Sequence, residues 1–173
     1  MKLKVSILGT EISRICRHTE LTEREVMNLI NEVGKLLANH EAEIVIIPCR
    51  DVSYLVAKAY KKYGGKKVIG ILPHEDEKFG LEHIKPYLDV IDEKLEVPSW
   101  YHADGEIAAA GDIAICIGLS GGVIRDIGAL YWHEAFIGHK TKLVIFVNTI
   151  SNPLHHEIEE ELSSCIYIDS TKT

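Results

Sequence analysis

Residues Gly118–Asp126 read GLSGGVIRD, between the apolar run DIAICI (residues 112–117) and the text IGALYWHEAFIGHK that starts at Ile127. An apolar strand that feeds a glycine-rich turn and then a helix is the connection of α/β proteins, and ligands gather at the edge where such turns lie. Gly118, Gly121 and Gly122 let the backbone turn sharply and come close to a bound group. The amides of Gly122, Val123 and their neighbours would face an anion, assisted by the helix dipole, and Ser120 adds a hydroxyl donor. The plain alternative is a tight connection that needs only positive φ. Glycines at 118, 121 and 122, so close together, favour the anion site. The turn is not the dinucleotide fingerprint, because G-x-G-x-x-G does not occur here or after the first strand.

The same letters satisfy G-x-S-x-G, the elbow that exposes a nucleophilic serine. A serine hydrolase using Ser120 needs a later histidine and an orienting acid. His133, His139, His155 and His156 are available, but the next strand closes on Asn148 rather than on an acid. The chain after Ser120 is also short for the rest of a hydrolase sheet.

Moving outward, the pattern repeats. Lys2–Gly9 reads as a strand running into a turn. Thr22 and Glu25 form a T-x-x-E capping box ahead of the helical stripe Val26, Leu29, Ile30, Val33, Leu36 and Leu37. AEIVIIP (42–48) and KKVIGILP (66–73) are continuous apolar strands of the kind covered on both faces, with the helix VSYLVAKAYKKYGG (52–65) between them. Residues 74–85 are polar and irregular. YLDVID (87–92) is expected to be a short strand, GEIAAAGD (105–112) a short helix, KLVIFVN (142–148) a buried strand, HHEIEEEL (155–162) a helix and CIYID (165–169) a terminal strand. The fold class is α/β, a mostly parallel sheet sandwiched by helices in one domain over residues 1–173. The loops at Gly9, Pro48, Pro73, Gly118 and Asn148 then share the carboxyl edge. Arg50 and Asp51 stand on that edge too, as ligand-binding groups or as a cap for the next helix.

Composition narrows the partners. The chain has 173 residues, 46% hydrophobic and 26% charged, with a net charge of −7 and no lysine- or arginine-rich block. Nucleic acid and anionic membrane surfaces are poor partners for it. MKLKVSILGTE has too short an apolar core for a signal peptide, and no apolar run reaches the length of a membrane span. Cysteines at 16, 49, 116 and 165 form no C-x-x-C pair, which suits a reduced cytoplasm. The acids and histidines of 155–162 read as a charged helix face rather than a metal site, and His133 and His139 do not share a face.

KVSILGT (4–10), VGKLLANHEAEIVII (33–47), VAKAYKKYGGKKVIGILP (56–73) and GDIAICIGLSGGVIRD (111–126) together resemble the Lonely Guy (LOG) superfamily of Rossmann-like nucleotide-binding proteins, also called lysine decarboxylase-like. Its P-G-G-x-G-T-x-x-E motif falls on Gly118, Leu119, Ser120, Gly121, Gly122, Val123 and onward to Asp126. The resemblance implies a nucleotide-shaped pocket, with Gly118–Val123 cradling phosphate, Gly9 and Thr10 lining the switch point, and Asp126 at the position of the catalytic glutamate. Leu119 and Ser120 replace paired glycines, Val123 replaces a threonine, and the acid is one methylene shorter. The family's Arg-Lys pair is answered by Ala103-Asp104. The expectation is therefore a protein that binds a nucleotide or sugar phosphate without efficient hydrolysis and without a metal or resident cofactor. A divergent nucleoside 5′-monophosphate phosphoribohydrolase is the alternative, and the serine hydrolase a second. The apolar perimeter Leu130, Tyr131, Trp132, Ala135, Phe136 and Ile137, together with the pairing of LOG relatives through helices, suggests a homodimer or larger homo-oligomer.

Overall fold

In the computed structural model the described residues are 2–74, 83–132, 143–147, 153–162 and 164–168. Seven strands make one sheet: β1 (Lys4–Gly9), β2 (Glu43–Ile46), β3 (Val68–Pro73), β4 (Glu93–Val97), β5 (Ile113–Ile117), β6 (Leu143–Val147) and β7 (Cys165–Ile168). Their order is β4-β3-β2-β1-β5-β6-β7, and every pairing is parallel. The sheet is thus wholly rather than mostly parallel. The helices are α1 (Ile12–His18), α2 (Glu23–Asn39), α3 (Val52–Lys62), α4 (Trp100–Ala110), α5 (Gly121–Trp132) and the short α6 (His156–Glu159).

The continuous apolar strands follow from burial on both faces, since successive side chains point to opposite sides. Val5, Ile7, Ile44, Ile46, Ile115 and Ile117 face one way and pack with Ile15 of α1, Val26 and Ile30 of α2, and Val56 and Tyr60 of α3. Leu8, Val45, Ile69, Ile71, Ala114 and Cys116 face the other way and meet Ala103 and Ile107 of α4 and Val123, Ile127 and Leu130 of α5. Tyr60 is fully buried, and its hydroxyl donates to the Ala42 carbonyl at 2.7 Å while accepting from the Lys66 and Lys67 amides. The capping box forms as expected: Thr22 Oγ1 accepts from the Glu25 amide and the Glu25 carboxylate accepts from the Thr22 amide. Hydrogen bonding to Thr22 holds the Glu25 pKa down.

Two local expectations change. YLDVID is not a strand; residues Lys85–Val90 form a 3₁₀ helix, and the strand is the next segment, β4. Only Val97 of β4 is buried, because this is an edge strand, so its sequence EKLEV lacks an apolar run. The helix placed at 105–112 starts earlier, at Trp100, capped by Ser99. Residues 133–142 and 148–152, with His133, His139, Ala135, Phe136 and Ile137, lie outside the described residues, as do the side chains of Tyr131 and Trp132. Among the described residues no helix is long and apolar enough to cross a membrane.

Candidate functional site

The crossover from β1 runs to β2 on one side, while β5 lies on its other side. β1 and β5 stay paired to their carboxyl ends at Gly9 and Ile117, but the chain after them passes to opposite faces of the sheet, α1 on one and α5 on the other, which leaves a crevice at the topological switch point. A cavity of about 320 Å³ occupies it. Its walls include Gly9 and Thr10 after β1, Ile47, Cys49 and Asp51 after β2, Trp100 and Asp104 of α4, and Ser120, Gly122, Val123, Arg125 and Asp126 of the β5–α5 turn and α5.

The turn is shaped by local chemistry. Gly118 has φ of +81°, and a Cβ there would lie 2.7 Å from Ile15 Cγ1 and 2.8 Å from Thr10 Cγ2. Conformation and contact both demand glycine. The Leu119 carbonyl accepts from Arg14 Nε at 3.2 Å, which ties the turn to α1. Ser120 Oγ accepts from the Val123 amide at 3.3 Å, and the Ser120 carbonyl accepts from the Ile124 amide at 2.9 Å. Ser120 is thus the N-cap of α5, and the amides of Gly121 and Gly122 are first-turn donors with no intrahelical acceptor. Gly122 lines the cavity; Gly118, Leu119 and Gly121 support the turn without forming its wall.

On the opposite wall, Asp51 caps α3. Its Oδ1 accepts from the Ser53 amide at 2.7 Å and the Ser53 hydroxyl at 2.5 Å, and its Oδ2 accepts from Cys49 Sγ at 2.9 Å. Burial pushes its pKa up, and these hydrogen bonds oppose the shift. Of the two readings for Asp51, the cap is made, and the residue still borders the cavity. Arg50 is not part of this wall; it lines a neighbouring cavity, with Glu11 and Asp51 common to both.

The floor is acidic. Asp104 on α4 and Asp126 on α5 share a hydrogen bond, and Arg125 forms an ion pair with Asp104. Asp126 is 8% exposed. Burial first, then the charge of Asp104 and the hydrogen bond to it, raise the Asp126 pKa from 3.8 to about 8 against the pull of Arg125. Burial also raises Asp104, but Arg125 and the hydrogen bond from Asp126 oppose the shift. The two carboxyl groups thus titrate as a pair, and burial together with the charge of Asp104 holds Asp126 toward its protonated form. Asp126 Oδ1 is buried and has no hydrogen-bond partner among the described residues, an arrangement that costs free energy unless a ligand supplies a partner.

Asp104 and Arg125, together with Glu11, Ile47, Cys49 and Trp100, line the site without being singled out by the sequence. Arg125 stood inside the quoted stretch, and Asp104 stood where the family resemblance expects a cation. Here the cation comes from α5 and the acid from α4, with the pair joined across the helices. As for a serine elbow, Glu41 is the only non-glycine residue with positive φ among those described, so Ser120 lacks the backbone strain of a nucleophile elbow. His155 and His156 are exposed and contact Glu157 and Glu160.

No family model matches the sequence, and no curated protein matches it. Solved structures do match. The molybdenum cofactor binding protein from the phototrophic bacterium Rippkaea orientalis has a TM-score of 0.66 at 15% identity, over 99% of this chain and 92% of that one. The molybdenum cofactor carrier protein from Chlamydomonas reinhardtii has a TM-score of 0.61 at 19% identity, over 85% of this chain and 77% of that one. The structural-genomics protein TM1055 has a TM-score of 0.59 at 23% identity, over 84% and 73%. At these identities the likeness establishes the fold, a Rossmann-like α/β architecture.

Proposed function

We propose that the chain is a binding protein for a phosphate-bearing small molecule of the nucleotide or molybdenum-cofactor kind, held at the carboxyl edge and not turned over efficiently. The observation that carries this reading is the meeting of the first-turn amides of α5 with a cavity at the switch point. The phosphate sits against Gly122 and accepts a hydrogen bond from the Ser120 hydroxyl. The raised pKa of Asp126 limits negative charge beside the phosphate, and Arg125 offsets Asp104 through their ion pair. Two of the matching structures are of proteins named for the molybdenum cofactor, which makes that cofactor a ligand to test beside nucleotides.

What disfavours the hydrolase alternative is the donor set: Asp126 is one methylene shorter than the glutamate of the resembled motif, and the cation beside it, Arg125, is held in an ion pair with Asp104. Calorimetry with AMP and ribose 5-phosphate tests the reading. Gly122→Val is expected to leave the fold largely intact, since a Cβ there meets nothing nearer than Ser120 Oγ at 3.6 Å, and to weaken both ligands at least tenfold. Unchanged affinity would remove the turn from the site. AMP cleavage at about 1–1,000 per second, abolished in Asp126→Asn, would install the phosphoribohydrolase instead.

A further inference from the structure

The cavity at the switch point carries more acid than an anion site needs. Glu11, Asp51, Asp104 and Asp126 border it, and Arg125 is the one basic side chain among its described walls. That cation is already engaged, because its guanidinium donates to the Asp104 carboxylate and forms an ion pair with it. We propose that Asp104 is an autoinhibitory counter-ion: an incoming phosphate must draw Arg125 away from it, and this exchange sets how tightly the cavity holds an anion. The inference rests on the reading above for where the phosphate lies.

The two partners of the pair are not equally fixed. The Asp104 side chain is 14% exposed and the Arg125 side chain 57%. Asp104 is also hydrogen-bonded to Asp126, a buried residue of α5. The acid is therefore anchored from a second side and stays in place when the cation leaves. Arg125 is the movable partner, and an ion pair with one member in water holds it weakly. A phosphate competes well for it, since it carries more charge than a carboxylate and its oxygens match the planar fork of donors. Arg125 already borders the cavity, so the exchange takes a rotation of one side chain and no movement of α5.

The surroundings of the pair separate this device from simple repulsion. Asp104 and Arg125 also line a second cavity, of about 420 Å³, between α4 and α5, together with Tyr101, His102 and Glu106. The pair stands on the boundary between the two spaces. Glu106 is an acid of the same helix that borders the outer space and is not a wall of the switch-point cavity. A carboxylate that only repelled the anion would act whether or not Arg125 were present. A carboxylate that withholds Arg125 acts through that arginine, and its removal without the arginine gains little.

The test uses the full chain and two probes, inorganic phosphate and ribose 5-phosphate, with calorimetry for binding and circular dichroism for folding. Asp104→Asn keeps the shape of the side chain and removes its charge, Arg125→Gln removes the cation, and the double variant asks whether the first acts through the second. Glu106→Gln controls for the loss of a nearby acid. Asp104→Asn is expected to bind both probes roughly tenfold more tightly than the native chain, and Arg125→Gln roughly tenfold more weakly. Glu106→Gln is expected to match the native chain, and the double variant to match Arg125→Gln within about twofold. Should Asp104→Asn fail to fold, Asp104→Ala takes its place in both backgrounds. An equal gain from Asp104→Asn with and without Arg125, no gain at all, or an equal gain in Glu106→Gln would overturn the proposal. Binding seen in Asp104→Asn and too weak to measure in the native chain would support it. Failure of every variant to bind either probe would sink the phosphate reading and the exchange with it. Binding that follows the expected pattern but ignores Gly122→Val would move the anion away from the turn and leave the exchange standing.

Discussion

At Asp126 a single proton links stability to ligand. The folded pKa is raised above the unfolded value, so the folded chain holds a proton that the unfolded chain releases between about pH 4 and pH 8. The stabilisation from that proton is complete below the lower value and is lost as pH rises through the upper one. Against Asp126→Asn, which cannot ionise, the native chain should lose ground across this window, by on the order of a few kcal/mol in all; paired thermal melts from pH 4 to 9 would show it. A flat difference would mean that Asp126 is ionised throughout. Phosphate affinity should fall over the same upper limb, because an ionised Asp126 repels the anion. Gly118 and Gly121 give a second contrast. A Cβ at Gly118 meets Ile15 and Thr10 at a positive φ, whereas one at Gly121 meets nothing within 4 Å. Gly118→Ala should cost at least about 1 kcal/mol and Gly121→Ala close to nothing, measured by urea denaturation. The sequence did not distinguish these glycines, since the letters of a turn carry neither its φ angles nor its neighbours. Asp104 and Arg125 were hidden for the same reason: their pairing exists only after α4 packs on α5.

Among the elements, α5 decides how Ser120 is understood. As an N-cap its hydroxyl oxygen is engaged by the Val123 amide, so Ser120→Ala should destabilise the chain by about 1 kcal/mol. A fluorophosphonate probe should leave the native serine unlabelled; stoichiometric labelling that disappears in Ser120→Ala would restore the nucleophile. The buried strands and α2, α3 and α5 were legible because each shows a long apolar pattern or a cap to the eye. Besides the 3₁₀ helix at Lys85–Val90, which reads as a strand, two elements were not. β4 is an edge strand whose exposed residues are largely charged, and α1 buries only Ile15 over seven residues. In both, tertiary pairing supplies the order that local pattern does not.

For the whole molecule, we propose self-association through the apolar stretch of sequence that follows the core residue Leu130, namely Tyr131, Trp132, Ala135, Phe136 and Ile137. Light scattering at low micromolar concentration should give at least twice the 19.4 kDa of one chain; a monomer would set the proposal aside. The position of β1 has a different consequence, for the order in which the molecule acquires its function. β1 is the central strand, with β2, β3 and β4 on one side and β5, β6 and β7 on the other. The first half of the sheet needs only the chain up to Val97, but the second begins when Val5 pairs with Ile113, across most of the sequence already made. Closing so long a loop is slow compared with local pairing. A nascent chain halted after β4 therefore has half a sheet and no crevice, and the ability to hold a ligand appears only when the seam between β1 and β5 has zipped.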